Sequence, residues 1–374
     1  MKIIVNCSGL SRGGVVQASL SFLEECRLRN ENKYFVFLIK KVAEIFQIDS
    51  YPENFKFYLV ERSPVKSFLT VLKLIKLERE INPDVVFTPF GMSFWKPKSP
   101  HLAGFALPFL VYPDSYFFKL YRPSVWFKIE KSVKLFLAKH TIDHIYVENE
   151  DMKSQMVSLF NFKPGKVHFV QGAYNQIYDK PFIFRDPFLP PKEIGEFRLV
   201  TIAPFFKHKN LIIIKNIIEK LISSGNKKIK FIVTIDSKSF NANFSIYRDY
   251  IINVGPIKIE ECPILYSECD ATFMPTLLES FTAIYPDSMK MGKPIITTNL
   301  NFAISVCGEA ALYFDPSSPE DAYNKILELV NSEELYYKLV LEGKNKLAGF
   351  LTAAQRAEKY FNLMGLICKN RNTI

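Results

Sequence analysis

The sequence of 374 residues has few glycines, few cysteines and no long apolar run. Fifteen glycines beside 34 phenylalanines and 18 tyrosines exclude collagen-like and low-complexity chains. The six cysteines form no Cys-x-x-Cys pair and no zinc-spaced group with histidine, so we expect neither a disulfide framework nor a metal site. No window approaches the ~18 consecutive apolar residues of a spanning helix, and the apolar N-terminal run is too short for a signal peptide. These absences predict a cytoplasmic protein.

The sequence is instead rich in apolar residues, at 48%, which excludes intrinsic disorder, and its length predicts two domains. Lys and Arg exceed Asp and Glu by 14 in residues 1–250, fall short by 7 in residues 251–350 and exceed them by 3 in the last 24 residues, which together give +10. A basic region of this size suits nucleic acid, an anionic membrane surface or phosphorylated substrates. No recognised nucleic-acid-binding motif accompanies the charge, so we expect no nucleic-acid partner.

Short apolar runs that predict strands alternate with longer segments of helical periodicity, such as Val15–Arg29 and Pro64–Ile81. The predicted strands are Lys2–Asn6, Tyr34–Ile39, Phe57–Val60, Val85–Thr88, His144–Val147, Phe197–Ile202, Lys230–Ile235, Ala271–Met274 and Lys293–Thr297. This βαβα alternation predicts α/β domains with mainly parallel sheets.

The Pro-rich stretch 176–196 has no sustained periodicity and predicts a linker. It separates an N-terminal domain, 1–175, from a C-terminal domain, 197–352, and we expect a last helix, 353–374, to return to the N-terminal domain. Because open α/β sheets bind ligands at the carboxyl ends of their strands, we expect a cleft between the two domains.

A glycine-rich turn, Ser8–Gly14, follows the first predicted strand and precedes a predicted helix. Its glycines do not fit the dinucleotide fingerprint, and Val15 and Val16 stand where a P-loop needs Lys and Ser or Thr. Two interpretations remain. The turn either lets the helix pack on the sheet, or it presents Gly13 and Gly14 to an acceptor or a phosphate.

A second strand-to-helix turn, residues 275–283, carries more chemistry. Glu279 lies in the loop before the predicted helix, and Asp287 follows eight residues later. Amides at the start of such a helix favour a diphosphate, and Asp287 is placed to accept hydrogen bonds from vicinal sugar hydroxyls. The simpler alternatives are a helix-capping acid at Glu279 and a solvated helix residue at Asp287.

This segment resembles the E-x7-E region of GT-B glycosyltransferases, in particular the retaining group called family 4. The matching positions are Pro275, Glu279, Phe281, Met289, Gly292 and Pro294, together with the spacing to Asp287. Downstream, Gly308–Pro316 is similar to another stretch of that family. Upstream, Lys207-His208-Lys209-Asn210-Leu211 resembles the step that opens the family's donor-binding domain, and residues 171–175 resemble the turn before its linker.

The resemblance implies the GT-B fold, with two Rossmann-like domains whose parallel sheets face a central cleft. It implies a nucleotide-diphosphate sugar bound by the second domain and an acceptor bound by the first. Glu279 and Lys209 would be catalytic, and the donor-binding residues would be Lys207, Ser280, Phe281, Thr282, Ala283 and Asp287. No metal or cofactor is expected, and the chain contains no D-x-D, in agreement with a metal-independent GT-B scheme.

Three departures from the family pattern bear on the site. Asp287 is one methylene shorter than the usual Glu. Ser280 and Thr282 replace two glycines, which adds side chains near the donor. The histidine often found at the end of a first-domain strand has no equivalent, since Gly104-Phe105-Ala106-Leu107 occupies that region.

Two basic segments rich in aromatic and aliphatic residues, 116–139 and 64–79, each allow two interpretations. Either the segment lies on an anionic bilayer with its apolar side down, or it is a core helix with a solvated lysine face. The sequence does not choose between them.

The expected function is transfer of a sugar, with retention, to a glycan or lipid-linked glycan, as in bacterial surface-polysaccharide assembly. The enzyme would be cytoplasmic or peripheral on the inner face of the plasma membrane. The alternatives are a nucleotide-sugar epimerase or a phosphorylase on the same fold, and a catalytically silent nucleotide- or glycan-binding subunit.

Overall fold

The computed structural model describes residues 1–10, 13–181 and 186–371. The chain divides into two compact units. The first unit contains residues 1–114 and 121–175 and the chain from Leu351 onward, and the second contains Ser115–Leu120 and Gln176–Phe350. The Pro-rich segment predicted as a linker therefore lies in the second unit, as does the short piece 115–120.

Each unit contains one parallel β-sheet within the described ranges. The first sheet has the order β3-β2-β1-β4-β5-β6-β7 and the second β10-β9-β8-β11-β12-β13. The strands are β1 (Lys2–Cys7), β2 (Lys33–Ile39), β3 (Phe55–Val60), β4 (Val85–Thr88), β5 (His101–Gly104), β6 (His144–Val147), β7 (Val167–Phe169), β8 (Phe197–Thr201), β9 (Ile229–Val233), β10 (Ile251–Asn253), β11 (Ala271–Met274), β12 (Ile295–Thr298) and β13 (Ala311–Phe314).

Helices connect the strands, and short 3-10 turns lie at Pro64–Lys66, Gln176–Asp179 and Lys207–Lys209. The α-helices are α1 (Gly14–Cys26), α2 (Phe68–Ile81), α3 (Pro108–Val111), α4 (Tyr116–Leu120), α5 (Val125–Thr141), α6 (Glu150–Phe160), α7 (Ile213–Ser223), α8 (Ser237–Phe244), α9 (Cys262–Ser267), α10 (Ile284–Lys290), α11 (Asn301–Cys307), α12 (Pro319–Val330), α13 (Glu333–Ala348) and α14 (Ala353–Arg371).

The sequence forms these elements for local reasons. The central strands are continuous apolar runs because a parallel sheet covered by helices is buried on both faces, and all four residues of β4 and of β11 are buried. Ser67 begins α2 by accepting a hydrogen bond from the Thr70 amide, and Asn149 caps α6 in the same way. The cap at Ser67 also explains why α2 begins later than the predicted Pro64, which lies in a separate 3-10 turn.

The order of the first sheet determines which helices share a face. Parallel crossovers are right-handed, so connections that run toward opposite edges of a sheet place their helices on opposite faces. The connection through α1 runs toward β3, whereas those through α2, α5 and α6 run toward β7. Helices α2 and α5 therefore lie on one face. On the other face α14 packs against α1, where Phe22 meets the ring of Tyr360 at a centroid distance of 5.7 Å.

The sequence prediction of two parallel α/β sheets is confirmed. All nine predicted strands form, with ends within two residues of those predicted. Strands β5, β7, β10 and β13 were not predicted. They have three or four residues each.

Candidate active site

The candidate site lies in the second unit, where the strand order reverses. Strands β8 and β11 are neighbours, and the chain leaves β8 toward one edge and β11 toward the other. Open α/β sheets bind ligands beyond the carboxyl ends of the strands at such a point. The loop after β8 contains Lys207–Lys209, and the loop after β11 contains Glu279. The fold therefore brings together two motifs that are 70 residues apart.

Lys209 and Glu279 form a buried ion pair at this point. Lys209 Nζ donates to Glu279 Oε1, and each residue is only 9% exposed. Thr276 Oγ1 lies 2.9 Å from the same carboxylate oxygen and 3.1 Å from the carbonyl oxygen of His208. An ion pair withdrawn from water has a fixed geometry, because each charge must keep its partner. The sequence did not single out Thr276, although it lies within the predicted motif.

One backbone bond joins the two loops, and a side chain of β12 anchors the second loop. The Leu277 amide donates to the His208 carbonyl over 2.7 Å, and Thr298 Oγ1 donates to the Thr276 carbonyl over 2.7 Å. Asn210 ends the 3-10 turn in the left-handed region, with φ 53°, a conformation that Asn tolerates better than most residues. Lys209 is thus presented from a short turn fixed at both ends.

The predicted donor-binding residues Ser280, Phe281, Thr282 and Ala283 lie between β11 and α10. Ser280 and Thr282 are buried, Phe281 is half-buried, and Ala283 is the exposed N-cap of α10. Helix α10 has only seven residues, so its dipole is small, and any affinity for phosphate would come mainly from individual amide donors. The role of these four residues in donor binding stays a prediction.

Asp287 is buried in the first turn of α10, and the Tyr178 hydroxyl donates a hydrogen bond to its carboxylate. Burial and the Asp287 charge together raise the pKa of Tyr178 well above its usual value, so this hydroxyl remains a donor. The next residue, Asp179, pairs with Lys290 of α10 over 2.5 Å. Two successive residues of the 3-10 turn 176–179 therefore contact α10. No sequence signal pointed to Tyr178, which lies 109 residues from its partner.

Lys207 and His208 differ from Lys209 in exposure. The Lys207 side chain is exposed, whereas His208 is half-buried. Burial lowers the pKa of His208, and the positive charge of Lys209 lowers it further against the opposing effect of Glu279. His208 is therefore neutral at pH 7, and the cationic charge of this turn resides on the two lysines.

Gly13 and Gly14 lie at the start of α1 in the first unit. Gly13 has φ +80°, in the region that favours glycine, as the tight-turn interpretation requires. Ser11 and Arg12 of the same turn lie outside the described residues. Contact of Gly13 and Gly14 with an acceptor or a phosphate stays a prediction.

The end of β5 at Gly104 begins the region where the family often has a histidine, and it is closely packed. A Cβ atom added to Gly104 would lie 2.0 Å from the Pro89 carbonyl oxygen and 2.5 Å from the ring of Tyr146. The backbone at the end of β5 is therefore packed too closely to accept a side chain at position 104.

With this geometry established, comparison with known proteins relates part of the second unit to a family. The family model described as "Glycosyl transferases group 1" matches residues 196–332, from β8 through α12. These residues are similar to the glycosyl transferases group 1 family. The matched segment contains Lys207, Lys209, Glu279 and Asp287, whereas Tyr178 lies outside it.

The similarity to known proteins extends beyond residues 196–332. An uncharacterized glycosyltransferase of Methanocaldococcus jannaschii is 23% identical over 215 residues, which are 53% of this chain and 51% of the relative, so the chain spans about half the length of the curated relative it matches. The sucrose-phosphate synthase of Thermosynechococcus elongatus superposes with a TM-score of 0.76 at 13% identity, covering 98% of this chain and 99% of that one. Anabaena HepE in complex with UDP-glucose superposes with a TM-score of 0.72 at 11% identity, covering 100% of both chains. The fold is GT-B.

Proposed function

We propose that the protein is a retaining, metal-independent glycosyltransferase that moves a hexosyl group from a nucleotide-diphosphate sugar to a glycan or lipid-linked glycan. The observation that carries the proposal is the buried Lys209–Glu279 pair at the β8–β11 reversal, within the segment similar to the glycosyl transferases group 1 family. The UDP-glucose bound to the similar HepE favours a uridine diphosphate donor.

The reaction breaks the bond between the anomeric carbon of the sugar and the terminal phosphate oxygen, and the electron pair leaves with the diphosphate. The acceptor hydroxyl oxygen forms the new bond on the face from which the diphosphate departs, which retains the anomeric configuration, and its proton passes to the diphosphate. Negative charge grows on the leaving group. Lys209 would stabilise that charge more in the transition state than in the ground state.

Glu279 has two tasks in this proposal. Its Oε1 accepts from Lys209 and orients the ammonium group, while the rest of the carboxylate is available to sugar hydroxyls. Lys207, the amides of residues 280–283 and Asp287 would complete the donor site, with Asp287 facing the ribose. Gly13 and Gly14 would belong to the acceptor side, as the resemblance implies.

The acceptor and the location belong to the same proposal. The basic excess of residues 1–250 suits an acceptor attached to an anionic surface, and we place the enzyme in the cytoplasm at the inner face of a bacterial plasma membrane, in surface-polysaccharide assembly.

A ligand panel followed by turnover tests the donor site. UDP, GDP, ADP, CMP and their sugars are added to the full chain, and the unfolding temperature is measured. A ligand at about 100 times its Kd stabilises the fold by about 2.7 kcal/mol. We expect one nucleotide-diphosphate family to stabilise the wild type, and Glu279→Gln to lose turnover about 100-fold or more while keeping its circular dichroism spectrum. A panel without any stabilising ligand would refute the donor site.

Donor-only incubation separates the alternatives. An epimerase converts the donor sugar without an acceptor, and a phosphorylase releases sugar phosphate from a glycan when inorganic phosphate is added. If the chain is a silent binding subunit, it binds the nucleotide, and the variant Glu279→Gln leaves glycan synthesis in cells unchanged. We expect none of these results, and any one of them would replace the transferase proposal.

A further inference from the structure

Helix α5 exposes a row of large apolar side chains. Trp126, Ile129, Val133 and Phe136 are 79%, 49%, 51% and 61% exposed. At 100° per residue they fall within one arc of about 80°. The residues that α5 buries, Ala138 and Thr141, lie on the other side. The sequence allowed a core helix here, and these exposures exclude that interpretation, because a core helix buries its apolar row.

The same helix is strongly basic. Between Arg122 and Lys139 the chain has five basic residues and one acidic residue, Glu130, whose carboxylate pairs with Lys134 over 2.5 Å. Lys128 and Lys139 are exposed and border the apolar row at one edge. Helix α5 therefore presents apolar side chains and positive charge to solvent together.

Helix α2 and the 3-10 turn before it show the same combination. Val65, Phe68 and Leu69 are 60%, 73% and 77% exposed, while Leu74 is fully buried. The outward side continues with exposed basic residues, namely Lys73, Lys76 and Arg79. Lys73 donates to the Leu59 carbonyl over 3.2 Å, and Lys76 lies 3.8 Å from Glu80, so much of this charge remains at the surface.

The topology places both helices on one face of the first sheet, as the right-handed crossovers require. We call their outward sides, Val65–Arg79 and Arg122–Lys139, the two-helix surface. Several large apolar side chains exposed beside basic residues are unusual on a soluble monomer and indicate an interaction site. Of the helices in the described ranges, none is both long and apolar enough to span a bilayer.

We propose that the two-helix surface docks on an anionic lipid bilayer, with its aromatic and aliphatic side chains at the level of the acyl-chain boundary and its lysines and arginines among the headgroups. Amphipathic helices with a basic polar side bind membranes in this way, and each basic residue near an anionic surface adds attraction. A second copy fits less well, since a two-fold contact would press one basic surface against another. The proposal names the surface behind the membrane location in the proposed function, yet its observations come from the first unit alone, so a failure of vesicle binding and a failure of sugar transfer are separate results.

Vesicle flotation tests the proposal. The full chain is mixed with phosphatidylcholine vesicles or with vesicles containing 30% phosphatidylglycerol, in 0.1 M and 0.5 M NaCl. We expect binding to the anionic vesicles that weakens at high salt because the charge is screened. Trp126→Ser/Phe136→Ser and Lys128→Gln/Lys139→Gln should each lower the partition coefficient at least about tenfold. Neither pair belongs to the proposed donor site.

A matched control comes from the second unit. Ile246 is 83% exposed and Lys238 is exposed, so Ile246→Ser and Lys238→Gln remove the same chemistry outside the two-helix surface and should leave flotation unchanged. A second readout is the fluorescence of the chain's two tryptophans. Trp95 is buried and donates to Glu78 over 2.8 Å, so a blue shift on adding anionic vesicles reports Trp126.

Several results would overturn the proposal. These are no flotation at 0.1 M NaCl, equal binding to neutral vesicles, or unchanged binding by both surface variants while their circular dichroism spectra match the wild type. A dimer in light scattering that Trp126→Ser/Phe136→Ser dissolves, without any vesicle binding, would instead assign the surface to self-association.

Discussion

The two sheets share the strand order 3-2-1-4 at their centres, so β1 lies beside β4 in the first unit and β8 lies beside β11 in the second. We call the region around each of these strand pairs and the loops that follow them the first and the second corner. The two corners carry different chemistry. In the first unit, Asn6 of β1 donates to Thr88 of β4 over 3.3 Å, and Thr88 lies 2.9 Å from His101 Nε2. These groups are fully buried and uncharged. In the second unit, the equivalent neighbours β8 and β11 lead to the ion pair of Lys209 and Glu279.

The difference teaches that the fold is repeated while the charge is not. The diphosphate of the proposed donor needs fixed positive charge, and Lys209 carries such a charge at the second corner. At the first corner the polar groups satisfy one another within the core and serve packing. The fold alone would not have distinguished the two corners, since function depends on the residues that each sheet places in its loops.

Removing the charge at the second corner should have the largest effect. Lys209→Met leaves the Glu279 carboxylate buried without its cation, and we expect about 3–5 kcal/mol less unfolding free energy in urea. Under the proposed function, kcat should also fall about 100-fold or more, because the departing diphosphate loses its partner.

The double variant Lys209→Met/Glu279→Gln separates these two losses. It removes both charges, so most of the stability should return while activity stays lost. A double variant that is as unstable as Lys209→Met would show that the ion pair is not what holds the two loops together. Recovery of activity would remove Lys209 from the proposed chemistry.

The uncharged corner predicts a pH dependence. Burial lowers the pKa of His101 to about 4, against the raising effects of its bond to the Thr141 carbonyl and of Asp143, while Lys96 lowers it slightly further. Below about pH 6.5 the unfolded chain binds a proton that the folded chain does not, so stability is complete above that pH and falls toward pH 4. The change is about 3 kcal/mol.

Urea unfolding of the wild type and His101→Gln at pH 7.5 and 4.5 measures this contribution. Gln keeps one donor and one acceptor but does not titrate, so the variant should lose less stability between the two pH values. Other buried groups titrate in both proteins and cancel in the difference. Equal losses would show that the pKa of His101 does not differ between the folded and the unfolded chain.

These cases also show how far the sequence could predict the molecule. The sequence singles out Glu279 and Asp287 because strand, turn and helix follow one another within one segment, and it singles out Lys209 through the resemblance of its motif. The bond between Tyr178 and Asp287 spans 109 residues and has no local signal. The sequence could not predict which side of α5 faces the solvent either. Apolar and basic residues recur at the same helical spacing whether the apolar row packs against the core or is exposed.

The Tyr178–Asp287 bond predicts a smaller effect than either corner. A hydrogen bond to a charged group contributes about 1.5–3 kcal/mol. Tyr178→Phe should weaken nucleotide binding about tenfold by calorimetry, with kcat within about twofold, because the Asp287 carboxylate loses its anchor. Glu in place of Asp287 is one methylene longer, so Tyr178→Phe/Asp287→Glu should recover part of the affinity.

A second tyrosine supplies the control. Tyr247 donates to Glu219 over 2.9 Å at the surface of the same unit, and Tyr247→Phe should leave nucleotide affinity unchanged. Equal weakening by Tyr178→Phe and Tyr247→Phe would mean that the loss reflects general stability of the unit and not the position of Asp287.

The smallest effect should come from Lys207, which contrasts with Lys209 two residues later. Lys207 is exposed, and exposed charges contribute under about 1 kcal/mol because water and salt screen them. Lys207→Gln should raise the donor KM no more than about fivefold in 0.1 M NaCl, leave kcat unchanged and have no effect in 0.5 M NaCl. A salt-independent loss of kcat would place Lys207 beside the reacting phosphate. The charge of the corner would then belong to both lysines, because only a cation shielded from the solvent keeps its effect when the salt concentration rises.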